Sequence, residues 1–474
     1  MHKLTAGDGY LYLVRQVAAA DSTERGRSSL ADYYSAKGES PGRWMGRGLA
    51  ALADTGAREV SDEVRQNVWA VEGGSVVTEA QMKALFGLGW HPNADKIYGH
   101  LSPRLGVQPA TAAGQLGRKY PAQEEPSSEF TRRVGKAFRA HNIEAGLAGN
   151  ATIDDDVRAG IRTQVAREMF AEQFGRDPAD DRELSGFVAR ATRARTTAVA
   201  GYDLTFSPVK SISALWAIAP PEIAEQIEAA HEAAVADVLE WLQDKAAFTR
   251  TGTNGVAQVD TEGLIAAVFT HRDSRAGDPD LHTHVAIANK VSYLDQNGVR
   301  RWLALDGQPL HRVIVAASEM YNTRMEVHTI DRLGVDFAEA SRGRGKRPVR
   351  EIVGMSVELM MRWSSRGIAI KARTAELAKQ FQHDHGREPT TIESLALAQQ
   401  ATLESREAKH EPRSFAEQRA TWRNQAIEVL GHDGLNRMLA TVLAPRRAQK
   451  TPEITAEWVA SRAVALVATV AETG

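Results

Sequence analysis

The sequence contains no cysteine, which excludes disulfide bonds and thiolate metal ligands. No apolar run approaches the ~20 residues that cross a bilayer, and the N-terminal M-H-K-L-T-A-G-D-G lacks the apolar core of a signal peptide. The formal net charge is only −2, so bulk charge gives no argument for a nucleic-acid partner, and any basic surface must be local. Together these absences predict a cytoplasmic protein without membrane insertion.

Length and composition indicate a globular protein with more than one structural unit. The chain has 474 residues, of which 43% are hydrophobic and 25% are charged. That length exceeds a single ordinary hydrophobic core and predicts two to four domains. No nucleotide-binding motif is present, because the glycine-rich stretch S-R-G-R-G-K-R lacks a Ser or Thr after its lysine.

The stretch H-R-D-S-R-A-G-D-P-D-L-H-T-H, residues 271–284, carries the strongest chemical signal. His282 and His284 are two residues apart, so on a strand both side chains leave the same face. The apolar L-I-A-A-V-F-T precedes His271 and V-A-I-A-N-K-V follows His284, with turn residues between them. We therefore expect an antiparallel strand pair that brings three imidazoles together as a divalent-metal site with open coordination positions.

Tyrosines are concentrated near the N-terminus. Tyr10 and Tyr12 lie in G-Y-L-Y-L, and Tyr33 and Tyr34 lie in L-A-D-Y-Y-S. Because tyrosine is a common amphipathic side chain at the edge of a core, this cluster alone does not distinguish packing from nucleophilic chemistry.

The pattern along the chain divides it into four regions. We predict a tyrosine-bearing region at 1–90, a helical insertion at 91–200, a core at 201–340, and a basic loop with a helical region at 341–474. The core combines strands with a helix that Pro220 and Pro221 open and that ends near 246, and Asn254-Gly255 marks a hairpin turn. Thr78 is the expected N-cap of a helix within 75–90. The predicted fold class is α+β, an antiparallel sheet with helices on one face.

A local basic surface is predicted between residues 341 and 350, where the chain reads S-R-G-R-G-K-R-P-V-R without an acidic residue. A solvated loop is the alternative for such a stretch. Beside a DNA site it favours phosphate contact. With Lys210, which follows the Ser-Pro turn at 207–208, the predicted DNA-binding residues are Arg342, Arg344, Lys346, Arg347 and Arg350.

These blocks together resemble the relaxase domain of the TrwC/TraI type, the MobF class of conjugative relaxases within the HUH endonucleases. The resemblance rests on the N-terminal tyrosines, D-Y-Y-S-A-K-G-E-S-P-G-R-W-M-G, G-Y-D-L-T-F-S-P-V-K-S, and a histidine separated by ten residues from H-T-H. It covers about 1–90 and 201–340. It implies a palm-like HUH sheet and a site- and strand-specific single-stranded DNA nickase and strand transferase that starts plasmid transfer at an origin of transfer.

The resemblance also implies roles for single residues. His271, His282 and His284 match the metal triad, and Asp203 matches the acidic residue that supports it and accepts the tyrosine proton. Tyr10 lies where the family places its first nucleophile, with Tyr12 as the second choice. Tyr33 and Tyr34 match the second tyrosine pair, which would act in a later transfer.

Expected cofactors and partners follow from the same resemblance. The cofactor is one divalent ion, Mg²⁺, Mn²⁺ or Zn²⁺. The partners are single-stranded or hairpin DNA at the origin, relaxosome accessory proteins and a type IV secretion coupling protein, and export with bound DNA to a recipient cell is compatible with this. The family usually carries a helicase domain after the relaxase, so the chain is expected to be an N-terminal fragment.

Two other functions stay open at this point. A rolling-circle replication initiator would use the same histidine and tyrosine chemistry. A DNA-binding module would use the histidines to hold a structural metal and would form no covalent bond to DNA.

Overall fold

The computed structural model describes residues 1–14, 40–54, 61–120, 129–149, 151–180, 183–185, 187–188, 198–341, 348–405 and 413–444. The strands in these regions of the chain are β1 (His2–Thr5), β2 (Arg43–Met45), β3 (Val199–Phe206), β4 (Phe248–Thr251), β5 (Ala257–Asp260), β6 (Ala266–Asp273), β7 (Pro279–Ala288), β8 (Val291–Leu294), β9 (Arg300–Leu303), β10 (Phe337–Ala340) and β11 (Val349–Ile352).

The helices of the first half are mostly short. They are α1 (Leu11–Val14), α2 (Asp62–Val64), α3 (Glu79–Met82), α4 (Ala94–Leu105), α5 (Val107–Ala113), α6 (Glu129–Glu144) and α7 (Asp155–Phe174). A 3₁₀ helix spans Arg47–Ala53, and π-helical turns continue α2 and α3 over Arg65–Trp69 and Lys83–Leu88. The later helices are α8 (Lys210–Ile218), α9 (Pro221–Ala246), α10 (Gly307–Leu333), α11 (Val357–Arg362), α12 (Ser365–His385), α13 (Thr391–Glu404) and α14 (Phe415–Val442).

The central feature of the described chain is a five-stranded sheet in the order β1-β3-β7-β6-β2, with every neighbouring pair antiparallel. Both edge strands come from the first 45 residues, and the three inner strands come from residues 199–288. The tyrosine-bearing region predicted at residues 1–90 is therefore built into the same sheet as the predicted core. Gly46, directly after the edge strand β2, adopts a φ of +108°, and a Cβ there would meet the Leu264 carbonyl oxygen at 2.1 Å. This position must therefore be glycine.

Alternation along the inner strands gives the sheet two different faces. Tyr202, Leu204 and Phe206 of β3 belong to a large hydrophobic cluster with residues of α8, α9 and α10. Their odd-numbered neighbours Asp203 and Thr205 project from the opposite face. The long helices thus pack on one face, as the sequence predicted for an α+β fold.

The opposite face is apolar over only a portion of its length. There a second cluster joins Ala267 and Phe269 of β6 and Ala286 of β7 to N-terminal side chains that include Trp44 and Phe86. Beyond this apolar portion, the same face carries polar groups. The N-terminal elements therefore cover the apolar portion of this face, and the polar portion is open to form the candidate site.

Several predicted local elements are confirmed. Thr78 caps α3 in a capping box, in which the Gln81 backbone N–H donates to Thr78 Oγ1 at 3.2 Å. Pro221 is the first residue of α9, which ends at Ala246 as expected. Strands β4 and β5 pair across Asn254-Gly255.

The region predicted as a helical insertion contains helices α4 to α7 among its described residues, joined by turns. Helices α6 and α7 form a cluster of their own around Phe130, Val165 and Phe170, separate from the two clusters on the sheet. Among the helices of the described residues, none has the length and apolarity needed to cross a membrane.

His91 fixes the N-terminal layer through two hydrogen bonds that require a neutral ring. Its Nδ1 accepts from the Asn93 backbone N–H at 2.9 Å, so Nε2 carries the proton and donates to the Leu52 carbonyl at 3.1 Å. The side chain is almost fully buried, and this burial lowers the pKa of His91 to about 4.

We predict that His91 makes stability depend on pH between about 6.5 and 4. Because the unfolded chain takes up a proton near pH 6.5 and the folded chain does not, the free energy of unfolding should fall with decreasing pH by about 1.4 kcal/mol per unit. A His91→Gln variant keeps one donor and one acceptor without a titrating ring. Urea denaturation at several pH values should show a shallower pH dependence for this variant, and equal slopes would contradict the assignment.

Candidate active site

Three histidines converge where β6 and β7 leave the apolar portion of the sheet. The register places His271 opposite His282, and Phe269 opposite His284. The three ring centroids are 5.1–5.3 Å apart, and one nitrogen from each ring lies within 4.8 Å of the others. The strand pairing thus brings the three histidine rings together, as the sequence predicted.

Hydrogen bonds define how two of these rings would bind a metal. His284 Nδ1 donates to the Asp203 carboxylate, at 2.8 Å from Oδ2 and 3.0 Å from Oδ1, and His282 Nδ1 donates to the Asp280 carbonyl at 2.7 Å. Each Nε2 is then left with a lone pair directed away from the acceptor. Burial lowers the pKa of His282, which favours the neutral ring that a metal requires.

The donor set therefore fits a divalent metal ion. Nitrogens bound at ~2.1 Å to one ion are at most ~4.2 Å apart, so the 4.8 Å spread of the nitrogens closes by small ring rotations. Three neutral imidazoles leave the full charge of the ion in place and leave further coordination positions open.

Asp203 connects this triad to a tyrosine. Its carboxylate is 1% exposed and accepts hydrogen bonds from His284 and from the Tyr12 hydroxyl. The Tyr12 ring meets the edge of the His284 ring at 5.8 Å between centroids. Burial and the negative charge of Asp203 raise the pKa of Tyr12, so the hydroxyl is protonated in this arrangement.

Tyr10, the first-choice nucleophile from sequence, is placed elsewhere. Two residues in a helical turn are about 200° apart, and when Tyr12 faces the histidines, Tyr10 faces the second cluster, where it is 3% exposed. Burial is the main factor that raises the pKa of Tyr10. Leu13, fully buried in the same cluster, fixes the orientation of α1. The structure therefore brings the Tyr12 hydroxyl, and not the Tyr10 hydroxyl, to Asp203 and the histidines. Tyr33 and Tyr34 lie outside the described residues.

A cavity of about 610 Å³ opens in front of the triad, Asp203 and Tyr12. Its wall includes basic side chains from three distant regions of the chain: Lys3, Arg275 and Arg366. Such a cavity, with cations around a metal-binding centre, suits a phosphodiester.

The residues predicted to bind DNA have a different arrangement. Lys210 does not line this cavity: its ammonium donates to the Pro279 carbonyl at 2.8 Å, and burial lowers the pKa of Lys210. Arg350 is paired with Glu326, at 2.9 Å from Nε to the carboxylate oxygens, and its Nη2 donates to the Phe337 carbonyl. Both cations have protein partners in this structure, and their contact with DNA stays a prediction. Arg342, Arg344, Lys346 and Arg347 lie outside the described residues.

Sequence reasoning missed several residues of the site. Thr205 is two residues after Asp203 on β3, so strand alternation would have placed it on the same face, where its hydroxyl lies 3.4 Å from His284 Nδ1. No local signal marked Lys3 or Arg366, because only the tertiary fold brings them to the cavity, whereas Arg275 lies in the loop between the histidines.

A comparison with protein-family models matches residues 6–429 to the model of the TrwC relaxase. The chain belongs to the TrwC relaxase family. The match covers four of the five strands of the sheet, the histidine triad and Tyr12, and it confirms the resemblance predicted from the motifs.

Curated relatives agree with the family. The Multifunctional conjugation protein TraI of Escherichia coli is 28% identical over 294 residues, which is 56% of this chain and 15% of the relative. The protein of the same name from strain K12 is 28% identical over 240 residues, 45% of this chain and 13% of the relative. The chain thus spans about one seventh of the length of the family relatives it matches.

Solved structures of the conjugative relaxase TrwC are also similar. A metal-bound complex with OriT DNA is 24% identical, with a TM-score of 0.40, over 55% of this chain and 86% of that one. A complex with a 27-mer DNA comprising the recognition hairpin and the cleavage site is 25% identical, with a TM-score of 0.38, over 55% and 89%.

We predict that metal binding depends on the triad and on the carboxylate behind it. His284→Ala removes a ligand, and Asp203→Asn removes the charge that orients His284, which should weaken Mn²⁺ or Zn²⁺ binding by about 10- to 100-fold. Calorimetric titration measures both affinities. His383→Ala, an exposed histidine of α12, is the control and should bind like the unaltered chain. An unchanged affinity in His284→Ala would show that the triad is not the metal site.

Proposed function

We propose that the chain is a site- and strand-specific nickase and strand transferase for single-stranded DNA at an origin of transfer, acting in plasmid conjugation. The observation that carries this proposal is the cavity in which the Tyr12 hydroxyl, the Asp203 carboxylate and three histidines meet. Membership of the TrwC relaxase family supports the substrate and the process.

The chemistry assigned to this chain is a transesterification by Tyr12. The Tyr12 oxygen attacks the phosphorus of a DNA phosphodiester, a Tyr–O–P bond forms, and the bond from phosphorus to the 3′ oxygen breaks. Asp203 is the proposed acceptor of the hydroxyl proton, because its Oδ2 already accepts the Tyr12 hydrogen bond. The departing 3′ oxygen takes a proton from solvent, so the products are a 5′-phosphotyrosine and a 3′-hydroxyl. The phosphotyrosine bond keeps the energy needed for later strand joining.

His271, His282 and His284 would hold the divalent ion proposed here, Mg²⁺, Mn²⁺ or Zn²⁺. When bound, it neutralises charge on a nonbridging phosphate oxygen and so favours attack by the tyrosine. Asp203 holds the His284 ring in the orientation that this ligation needs. One carboxylate thus serves both the ligand and the nucleophile.

The remaining contacts to DNA are proposals of the same kind. Lys3, Arg275 and Arg366 at the cavity are assigned to phosphates of the bound strand. The basic stretch 342–347 is proposed to extend that contact, and Tyr33 or Tyr34 to serve a second transfer. Relaxosome accessory proteins and a type IV secretion coupling protein are the proposed protein partners.

Two observations separate this function from the alternatives. A module with a structural metal would not need a tyrosine hydroxyl on the carboxylate that orients a ligand, as Tyr12 is on Asp203. A rolling-circle initiator would use the same groups, but the relatives that match are conjugation proteins.

We predict that Tyr12→Phe abolishes covalent attachment to DNA without weakening DNA binding. Phenylalanine keeps the ring against His284 and removes only the hydroxyl that attacks. Incubation with a single-stranded oligonucleotide library from the host plasmid, followed by a denaturing gel, should show a shifted band for the unaltered chain and none for the variant.

Tyr10→Phe is the matched control for that experiment. Because Tyr10 packs in the second cluster, the variant should form the adduct as the unaltered chain does. Mass spectrometry of the trapped peptide should place the nucleotide on Tyr12. Loss of the adduct in Tyr10→Phe and its retention in Tyr12→Phe would reverse the assignment, and no tyrosine adduct at all would reject the proposed function.

We also predict that Arg366 contacts a DNA phosphate. Arg366→Gln should reduce the slope of log K against log salt by about 0.7, the value for one phosphate contact on a single strand. Arg373→Gln is the control, since Arg373 lies on the same helix and is paired with Glu376 and Glu404. Fluorescence anisotropy at several salt concentrations measures both slopes. Equal slopes for Arg366→Gln and the unaltered chain would exclude the contact.

A further inference from the structure

The loop Ser274–Asp278, which joins the two histidine-bearing strands, is attached to helices far along the chain. Regular pairing of β6 with β7 is interrupted between His271 and Asp273. After this register shift only Asp273 still pairs, with Pro279, so the contacts of the loop with other elements contribute to its position.

Asp278 makes the first of these contacts. Its Oδ2 accepts from the Ser365 backbone N–H at 2.9 Å, and its Oδ1 accepts from the Ser365 hydroxyl at 3.0 Å. Ser365 is the first residue of α12, so the carboxylate accepts from the N-terminal end of that helix. Asp278 is 6% exposed, and a buried carboxylate that lost these donors would be costly.

Helix α14 and Arg413, which lies two residues before it, make the second group of contacts. Asp273 Oδ2 accepts from Gln418 Nε2 at 2.8 Å and from Arg413 Nη2 at 3.1 Å. Trp422 Nε1 donates to the Gly277 carbonyl at 2.9 Å. Gly277 adopts a φ of +76°, and a Cβ there would lie 3.2 Å from Arg413 Nη2. The turn is thus shaped to lie against α14.

The loop is connected to the metal ligands at both ends. Asp273 is two residues after His271, and Asp278 is two residues before Asp280, whose carbonyl accepts from His282 Nδ1. A shift of the loop would therefore displace His271. It would also break the hydrogen bond that fixes the tautomer of His282. His284, held by Asp203 on a neighbouring strand, would stay in place.

We propose that Asp278 and Asp273 are positioning residues, through which helices α12 and α14 set the affinity and geometry of the metal site. The inference rests on the metal site of the proposed function. It adds that the helices after residue 364 take part in building that site as well as in binding DNA.

The test uses Co²⁺ as the probe, because its visible absorption reports ligand geometry as well as occupancy. Asp278→Ala should weaken Co²⁺ binding by about tenfold or more and change the absorption spectrum. Asp278→Asn, which keeps one acceptor, should restore some of the affinity. A purely structural role would lower the melting temperature and leave the spectrum of bound Co²⁺ unchanged.

Asp295→Ala is the matched control. Asp295 also accepts backbone N–H groups in a hairpin turn, from Asn297 and Val299 at 3.0 Å, but in the β8–β9 hairpin. Its loss should cost similar stability and leave Co²⁺ affinity and spectrum unaltered.

A second variant approaches the loop from the helix. Gln418→Glu has the shape of the original side chain but places a negative charge against Asp273, so it should weaken Co²⁺ binding in the same direction as Asp278→Ala. It also keeps the inference testable if Asp278→Ala does not fold.

The outcomes separate the two proposals. Folded Asp278→Ala and Gln418→Glu variants with unaltered Co²⁺ affinity and spectrum would overturn the positioning role and leave the proposed function intact. If the unaltered chain bound no Co²⁺, Mn²⁺ or Zn²⁺, the metal site itself would fail and the positioning role with it.

Discussion

The register between β6 and β7 is the constraint on which the rest of the site depends. Because side chains alternate, a slip of one residue would turn His282 and His284 to the other face of the sheet. Both faces oppose such a slip. The apolar residues of each strand alternate between two clusters. On one face, the hydroxyl of Thr283, which lies between the two histidines, is 2.7 Å from His231 Nε2 and 2.8 Å from the Thr270 hydroxyl. His231 is buried, which lowers its pKa to about 3 and keeps it neutral in this network.

Electrostatics around Asp203 joins the metal site to the nucleophile. A buried carboxylate needs donors, and Asp203 has them from Tyr12 and His284. Its charge raises the pKa of Tyr12, so the tyrosine stays protonated while only protein groups surround it. In the proposed function, the positive charge that makes Tyr12 a nucleophile comes from the histidine side of the cavity. The proposed attack is then linked to occupancy of the metal site, because the carboxylate that accepts the tyrosine proton also orients a metal ligand.

The features of the site that sequence could predict are those encoded within a short stretch. The histidine triad, its loop and the strand pairing all lie within residues 266–288, where alternation and turn residues act locally. Which of Tyr10 and Tyr12 reaches the histidines depends on which side of α1 and the residue before it faces the core, and the buried Leu13 fixes that orientation. The protein partners of Lys210 and Arg350 could not be predicted, because Pro279 and Glu326 are distant from them in sequence.

The whole site can form only when most of the chain has folded. Tyr12 reaches Asp203 across 191 residues of sequence, and the loop between the histidines is held across 87 residues by Ser365 and across 145 by Gln418 and Trp422. Contacts at such separations form late and together, because each requires closure of a long chain segment. The inner strands alone can bring three imidazoles close to each other. The N-terminal segment supplies Tyr12, the proposed nucleophile, and the C-terminal helices hold the loop, so the site depends on segments from both ends of the described chain.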